Sequence, residues 1–512
     1  MDDIVGDSLR KVVKGAAIFF IGTVLSLLIS FVGRIIIIRY LTPAQFGIIS
    51  LAGVIFSITG TLTSLGLPEG LTRQASYFLG RGQSEKAKAI FKAGLVLSLI
   101  IGLVVAVALF ILSNLFAEFF DVPDLSWVLK MYSVSFPFGM LAGVYFSVFR
   151  TYERVDIKVI FEDLLPNILK LSLIATVVVL GLSFYWAVIA YVLPAIISGA
   201  VFLVYSLKNI DLKTSENYLK YWKPLILFSL PLLIQMILGM VITWTDTIMI
   251  GYYLNPTEVG LYNGAQPLAK LMQTFLTAVI FLYFPIASQL YARNQIKEMG
   301  RTYAIITKWL MSASLPIFLV LFLFPDVVLW LLYGEKYVPA ANVLKILALG
   351  FFIHTMLGPN GITLIAAGKP NIPMAASFAA AIVNVIFNFV LIPLLGITGA
   401  AVASVLTYVT GNIVVALKLY SDYGIHPFTK NYVKPMLLST VVAYFIYSLS
   451  KNIIQVQGWM LPILFVLFLA TYFLSLLLTR SFDREDIMLI LSVEQRLGID
   501  LGWVKRVLRK FV

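Results

Sequence analysis

Apolar runs of about twenty residues recur along the whole chain, and no other feature constrains its fold as tightly. A helix rising about 1.5 Å per residue needs about 20 residues to cross about 30 Å of hydrocarbon. Within lipid every backbone N–H and C=O must be satisfied internally, so runs of this kind are helices. Fourteen stretches meet the criterion: 15–38, 46–67, 93–113, 127–149, 164–182, 186–207, 224–250, 259–288, 303–324, 340–365, 374–393, 397–417, 435–450 and 459–479. Breakers such as Thr42-Pro43, Asn255-Pro256, Gly368-Lys369-Pro370 and Gly458 mark their ends. The expected fold is an all-α polytopic membrane protein with about 14 transmembrane helices. Composition agrees, since 60% of the 512 residues are hydrophobic and 12% charged, against about 25% charged in a soluble domain.

The charged residues that remain are unbalanced, 38 Lys+Arg against 25 Asp+Glu. Thirty of the basic residues fall in one set of alternate segments, and only Arg39, Lys336 and Lys451 in the other. The positive-inside rule therefore places both termini in the cytoplasm and the chain, multi-pass, in the plasma membrane. Basic residues that punctuate apolar runs, instead of lining one solvated face, argue against nucleic acid as a partner. The chain has no cysteine, which excludes disulfides, thiolate metal sites and cysteine nucleophiles. The first run follows Arg10, Lys11 and Lys14, as a signal peptide would. It is too long for a signal h-region of about 7–15 residues, and a retained first span is expected.

The chain also repeats itself. Tyr40-Leu41-Thr42-Pro43-Ala44-Gln45-Phe46-Gly47 after span 1 matches Tyr253-Leu254-Asn255-Pro256-Thr257-Glu258-Val259-Gly260 after span 7, with Tyr, Leu, Pro and Gly identical. Gly181 before span 6 and Gly396 before span 12 correspond at nearly the same offset. An even number of helices separates equivalent positions, so the copies are parallel repeats, and transporters of that kind hold substrate between their halves. The expected organisation is two six-helix bundles, 1–223 and 224–430, facing a central cavity, with two appended helices in 431–479. In the cytoplasmic tail, 480–512, Trp503, Val504, Val507, Leu508 and Phe511 form an apolar stripe opposite Lys505, Arg506, Arg509 and Lys510. That pattern is a basic amphipathic helix on the inner leaflet, or one packed on the cytoplasmic loops.

Motifs for catalysis are missing, and two histidines, His354 and His426, are too few for a histidine metal cluster. No catalytic residue, metal or cofactor is expected. Ionisable groups inside spans are the informative ones, because each costs about 2.5–3.5 kcal/mol on insertion scales and needs a partner or a wet cavity. Lys130 and Lys345 near the outer ends of spans 4 and 10, and Lys170 in span 5, are explained by snorkelling. Arg34, about one turn from the outer end of span 1, either snorkels or grips phosphate bidentately. Lys270 lies about 16 Å into span 8 and reads as a cavity-facing cation in preference to a buried structural pair. Asp246, the only carboxylate within a span, is a protonation or sodium site or the partner of Lys270 or Arg34. His354 titrates in the range for proton coupling, but a structural, hydrogen-bonded histidine is the favoured reading. Arg73 and Arg150 at inner helix ends are solvated interface charges or line an inner vestibule.

Several of these stretches resemble a known family. Asp246-Thr247-Ile248-Met249-Ile250-Gly251-Tyr252-Tyr253-Leu254, continuing through Glu258 to Ala265, is similar to the span 7 to 8 signature of Wzx-like polysaccharide flippases. Gly66-Leu67-Pro68-Glu69-Gly70, Leu79-Gly80-Arg81-Gly82, Ala367-Gly368-Lys369-Pro370 and Gly396-Ile397-Thr398-Gly399-Ala400-Ala401 resemble the same family. It belongs to a superfamily with drug-extruding transporters and the lipid II flippase. The resemblance implies alternating access, with a polyprenyl-(pyro)phosphate-linked oligosaccharide carried from the inner to the outer leaflet. It implies that cavity cations hold the lipid phosphate, mapping onto Lys270 and Arg34, with Arg73 and Arg150 as further candidates. Partners would be the lipid-linked oligosaccharide and membrane lipids, with H+ or Na+ coupling at Asp246 or His354. Drug-extruding relatives tend to carry an acid in span 1, where this chain has Arg34. The competing readings are a cation-coupled drug or metabolite exporter and a membrane glycan polymerase or ligase.

Overall fold

The computed structural model describes residues 2–453, 456–483 and 486, with side chains described from residue 21 onward except at 155, 232, 278, 281, 282 and 451–453. The amphipathic stripe expected near the C-terminus lies outside the described residues. Among those described, the structure is helical throughout. The first elements are α1 (Asp2–Tyr40), α2 (Pro43–Ser64), α3 (Leu67–Gly80), α4 (Ser84–Phe119), α5 (Pro123–Ser133) and α6 (Phe136–Thr151). Then come α7 (Val155–Lys158), a π-helix (Val159–Leu164), α8 (Leu165–Val179), α9 (Phe184–Asn209), α10 (Trp222–Tyr253) and α11 (Pro256–Ala292). The last are α12 (Ile296–Leu323), α13 (Pro325–Tyr333), α14 (Ala341–Met356), α15 (Asn360–Ala366), α16 (Asn371–Leu395), α17 (Ile397–Tyr423), α18 (Lys430–Ile453) and α19 (Leu461–Leu478).

Every expected span falls on a helix. Among the described residues eleven helices are long and apolar enough to cross a membrane, or twelve if α5 and α6, bent by 43°, form one broken span. The two outside that set are spans 5 and 8. Span 5 is the 15-residue α8, whose preceding turns carry Asp156, Lys158, Glu162 and Asp163. Span 8 lies on the 37-residue α11, where the side chains of 278, 281 and 282 are outside the described residues.

The chain divides into two compact units at 263/264, within α11. The sequence repeat sets its boundary at 223/224; one division follows packing and the other follows similarity. In the first unit both copies of the repeated motif start a helix in the same way. Thr42 Oγ1 accepts from Gln45 N at 3.2 Å before Pro43, and Asn255 Oδ1 accepts from Glu258 N at 3.1 Å before Pro256. Each side chain satisfies an orphan donor of the first turn, and Pro occupies a position that needs no donor. The copies also touch reciprocally. A Cβ on Gly47 would lie 1.8 Å from Pro256 O, and one on Gly260 would lie 1.9 Å from Pro43 O. Only glycine permits backbones to approach so closely.

In the second unit span 10 is broken at Leu357-Gly358-Pro359, where Gly358 has φ +65° and Pro359 precedes α15. The carbonyls that the break releases are taken up by tyrosines: Tyr432 Oη donates to Met356 O at 2.9 Å and Tyr303 Oη to Leu357 O. Buried hydroxyls thus replace the missing helical donors, as lipid requires. Outside the spans, Asp422 bridges Lys369 of the Gly368-Lys369-Pro370 turn and Lys418 of α17, at 2.7 and 2.8 Å. Lys369 first, then Lys418, holds its carboxyl down at about 2. This bridge is intact above the ordinary carboxylate range and opens only as pH falls toward that value.

Candidate functional site

The expected site residues fall into separate groups. Arg34 is half-buried on α1, and its Nη1 donates to Asn263 O at 3.4 Å. Asn263 is itself fixed from α10 and α11. Its Oδ1 accepts from Thr247 Oγ1 at 3.2 Å and its Nδ2 donates to Val259 O at 2.9 Å. Asp246, fully buried, accepts from Tyr262 Oη at 2.5 Å. The α10–α11 signature therefore folds into one hydrogen-bonded block, Asp246-Thr247 against Tyr262-Asn263, and Arg34 leans on its main chain.

Two further residues complete this region: Lys170, which the sequence reads as a snorkelling lysine, and Tyr191, which it does not single out. Lys170 Nζ lies over the ring of Tyr191, 3.2 Å from its centroid. Arg34 acts electrostatically on both Lys170 and Tyr191. Spans 1, 5 and 6 thus bring a guanidinium, an ammonium and a phenol together, and among the described residues no carboxylate forms an ion pair with either cation. Snorkelling explains Lys130 and Lys345 better than Lys170. Lys130 reaches Asn114 Oδ1 at 3.2 Å and Lys345 covers Phe322 at 4.9 Å. The signal that could have found Lys170 was that its span and span 1 each carry a lone cation; Tyr191 gave none.

Lys270 is half-buried on the part of α11 that belongs to the second unit. Arg73 is exposed, stacked on Phe228 at 4.6 Å, and Arg150 is exposed at the last turn of α6. His354 Nδ1 faces Asn412 Nδ2 at 2.6 Å, and the same amide nitrogen donates to Tyr408 O at 2.7 Å. An amide nitrogen can only donate, so in this arrangement Nδ1 accepts and the imidazole carries its proton on Nε2. An apolar cavity of about 250 Å³ in the first unit is lined by Phe56, Gly60, Pro68, Phe136, Met140 and Gly143 among others, with no ionisable side chain.

Two adjacent cations within spans, unneutralised by acid, suit an anion. Arg offers a planar fork of donors and Lys a mobile point charge, the pair used for phosphate recognition. The sequence model of the family described as "Polysaccharide biosynthesis protein" matches residues 12–291, more than half of the chain. The chain belongs to this family. Its match spans Arg34, Lys170, Tyr191, Asp246 and Lys270 alike, and a second family model, MatE, matches 231–390. Among relatives, the uncharacterized membrane protein MJ1068 of Methanocaldococcus jannaschii is 23% identical over 78% of this chain and 82% of its own. The probable low-salt glycan biosynthesis flippase Agl15 of Haloferax volcanii is 27% identical over 44% of this chain and 48% of its own. A solved structure of the lipid II flippase MurJ, in an inward closed conformation, superposes with a TM-score of 0.74, covering 89% of this chain and 97% of that one at 14% identity. The polysaccharide biosynthesis family member described here therefore shares its fold with that transporter.

Proposed function

We propose that this protein is a flippase that moves a polyprenyl-(pyro)phosphate-linked oligosaccharide from the inner to the outer leaflet by alternating access. The observation that carries this reading is the Arg34–Lys170 pair beside Tyr191. An anionic headgroup offsets the cost of holding two cations at membrane depth, while the polyprenyl chain stays in lipid. Membership of the polysaccharide biosynthesis family and similarity to Agl15 support the cargo class. No covalent step is required of the protein. In this reading Lys270 is a further candidate cation for the headgroup, and Arg73 and Arg150 attract it at the inner side. Asp246 and His354 are the candidates for H+ or Na+ coupling. The cytoplasmic location of both termini, in the plasma membrane, follows from the basic loops. A cation-coupled drug exporter fits less well, because span 1 presents Arg34 where that mechanism wants an acid.

Reconstituted protein should move a fluorescent lipid-linked glycan across liposomes. Each charge-assisted phosphate contact contributes about 1.5–3 kcal/mol, about ten- to a hundredfold. Arg34→Ala and Lys170→Ala should each weaken glycan-lipid binding by that factor while melting at the parental temperature. Parental binding and transport in the double variant would remove the site, and transport of cationic dyes in place of glycan lipid would remove the function.

A further inference from the structure

Where α1 packs on the π-helix, a set of oxygen atoms is left over. The segments meet at Gly22, where a Cβ would fall 2.1 Å from Val159 Cγ1. One turn on, Ser26 Oγ donates to Asp163 O at 2.8 Å, and Asn167 Nδ2 donates to Ser26 Oγ at 2.9 Å and to Asp163 O at 2.8 Å. The π-turn widens the backbone here, with Leu165 N–H reaching back to Ile160 O; such turns are frequent at functional sites. Two atoms take no part in this network. Asp163 Oδ2 and Thr23 Oγ1 are both buried and neither has a hydrogen-bond partner.

Neither is explained by ordinary helix chemistry. Ser57, Thr59, Thr61, Thr63 and Thr72 each satisfy their hydroxyl on the carbonyl four residues back, and Thr23 does not. Thr23 lies three residues before Ser26, on the same face of α1. The neighbouring cation, Lys158, pairs with Glu162 at 3.6 Å and also acts electrostatically on Asp163, but it gives Asp163 Oδ2 no hydrogen bond. A buried carboxylate oxygen facing no donor calls for a positive guest.

We propose that Thr23, Ser26, Asp163 and Asn167 form a binding site for a small monovalent cation, sodium. Asp163 Oδ2 supplies the charge, and the Thr23 and Ser26 hydroxyls and the Asp163 main-chain oxygen supply neutral ligands. Asn167 adds Oδ1 when its carboxamide turns over, an exchange that leaves the shape of the side chain unchanged. An all-oxygen set excludes soft transition metals, and a single carboxylate matches one unit of charge where calcium draws several. Arg34 lies eight residues beyond Ser26 on α1, and Lys170 seven beyond Asp163. Occupancy at the junction would therefore set the spacing of the two cations above it. The binding site itself does not depend on the flippase reading.

Equilibrium binding of radiolabelled sodium to the purified full chain in lipid nanodiscs tests it. One sodium per chain is expected, weakened at least tenfold by Asp163→Asn and measurably by Thr23→Val, but not by Glu162→Gln. Should Asp163→Asn fail to fold, Thr23→Val at the parental melting temperature decides. The proposal is overturned if no sodium binds, as when Asp163 holds only a proton, or if Thr23→Val and Asp163→Asn bind it like the parent.

Discussion

Replacing Gly47 or Gly260 by alanine should lower the apparent melting temperature of the protein by many degrees. The new Cβ at Gly47 would stand 1.8 Å from Pro256 O, 2.8 Å from its carbonyl carbon and 2.9 Å from Gly260 N; the new Cβ at Gly260 meets Pro43 in the same way, at 1.9 and 2.7 Å. All of these are backbone atoms, so no side chain can rotate aside. Overpacking against movable side chains costs about 1–3 kcal/mol, and a clash with two capped helix starts belongs at or above the top of that range. Gly139→Ala is the internal control. Nothing lies within 4 Å of a Cβ there, so the change should be neutral or stabilise α6 by up to about 1 kcal/mol. Thermal unfolding in detergent, compared at one heating rate, separates the three variants. If Gly47→Ala and Gly139→Ala melt alike, the reciprocal contact does not exist in the protein.

This contact also shows what could be read in advance and what could not. The paired Tyr-Leu-x-Pro motifs are visible as letters, and their caps follow from Thr42 and Asn255 preceding proline. That the two glycines face each other's proline is a tertiary fact, separated by 213 residues, and no local propensity encodes it. Span positions were legible because hydrophobic length is a one-dimensional property. Partners within the membrane were not. Lys170 looks like a snorkelling lysine when measured only by its distance from the end of its span, and its place beside Tyr191 and Arg34 depends on how spans 1, 5 and 6 pack. His354 left two readings open, and its neighbour Asn412 lies 58 residues away. Asp163 is adjacent to Glu162 and within a turn of Lys158, so by sequence it belongs to a solvated inner loop; the π-turn carries one of its oxygens into the protein.

Lys308 illustrates the same point with the largest energetic consequence in the second unit. By sequence it lies at the inner end of span 9 and counts with the cytoplasmic charges, yet it is only 3% exposed. Its Nζ pairs with Asp483 and, at 2.6 Å, with Asp486 Oδ2, and also reaches Ser481 O at 3.4 Å. The remaining carboxylate oxygens are engaged too. Trp309 Nε1 donates to Asp486 Oδ1 and Asn431 Nδ2 to Asp483 Oδ1, both at 2.7 Å. One lysine thus ties α12, the start of α18 and the segment that follows α19, so the appended helices are fastened to the rest of their unit. Lys308→Met keeps the stem and removes the charge, leaving two carboxylates against each other in a buried place. Breaking a buried pair in this way costs about 3–5 kcal/mol, because the partner is stranded and not because the pair itself is worth so much. The triple variant Lys308→Met, Asp483→Asn, Asp486→Asn should therefore recover most of the loss, which a simple packing defect at Lys308 would not allow. Melting of the single and triple variants measures the coupling, and hydrogen exchange over 479–483 should rise in the single variant alone. Equal stability of parent and Lys308→Met would mean that the segment after α19 is not fastened there, and a triple variant no better than the single one would move the cost from charge to packing.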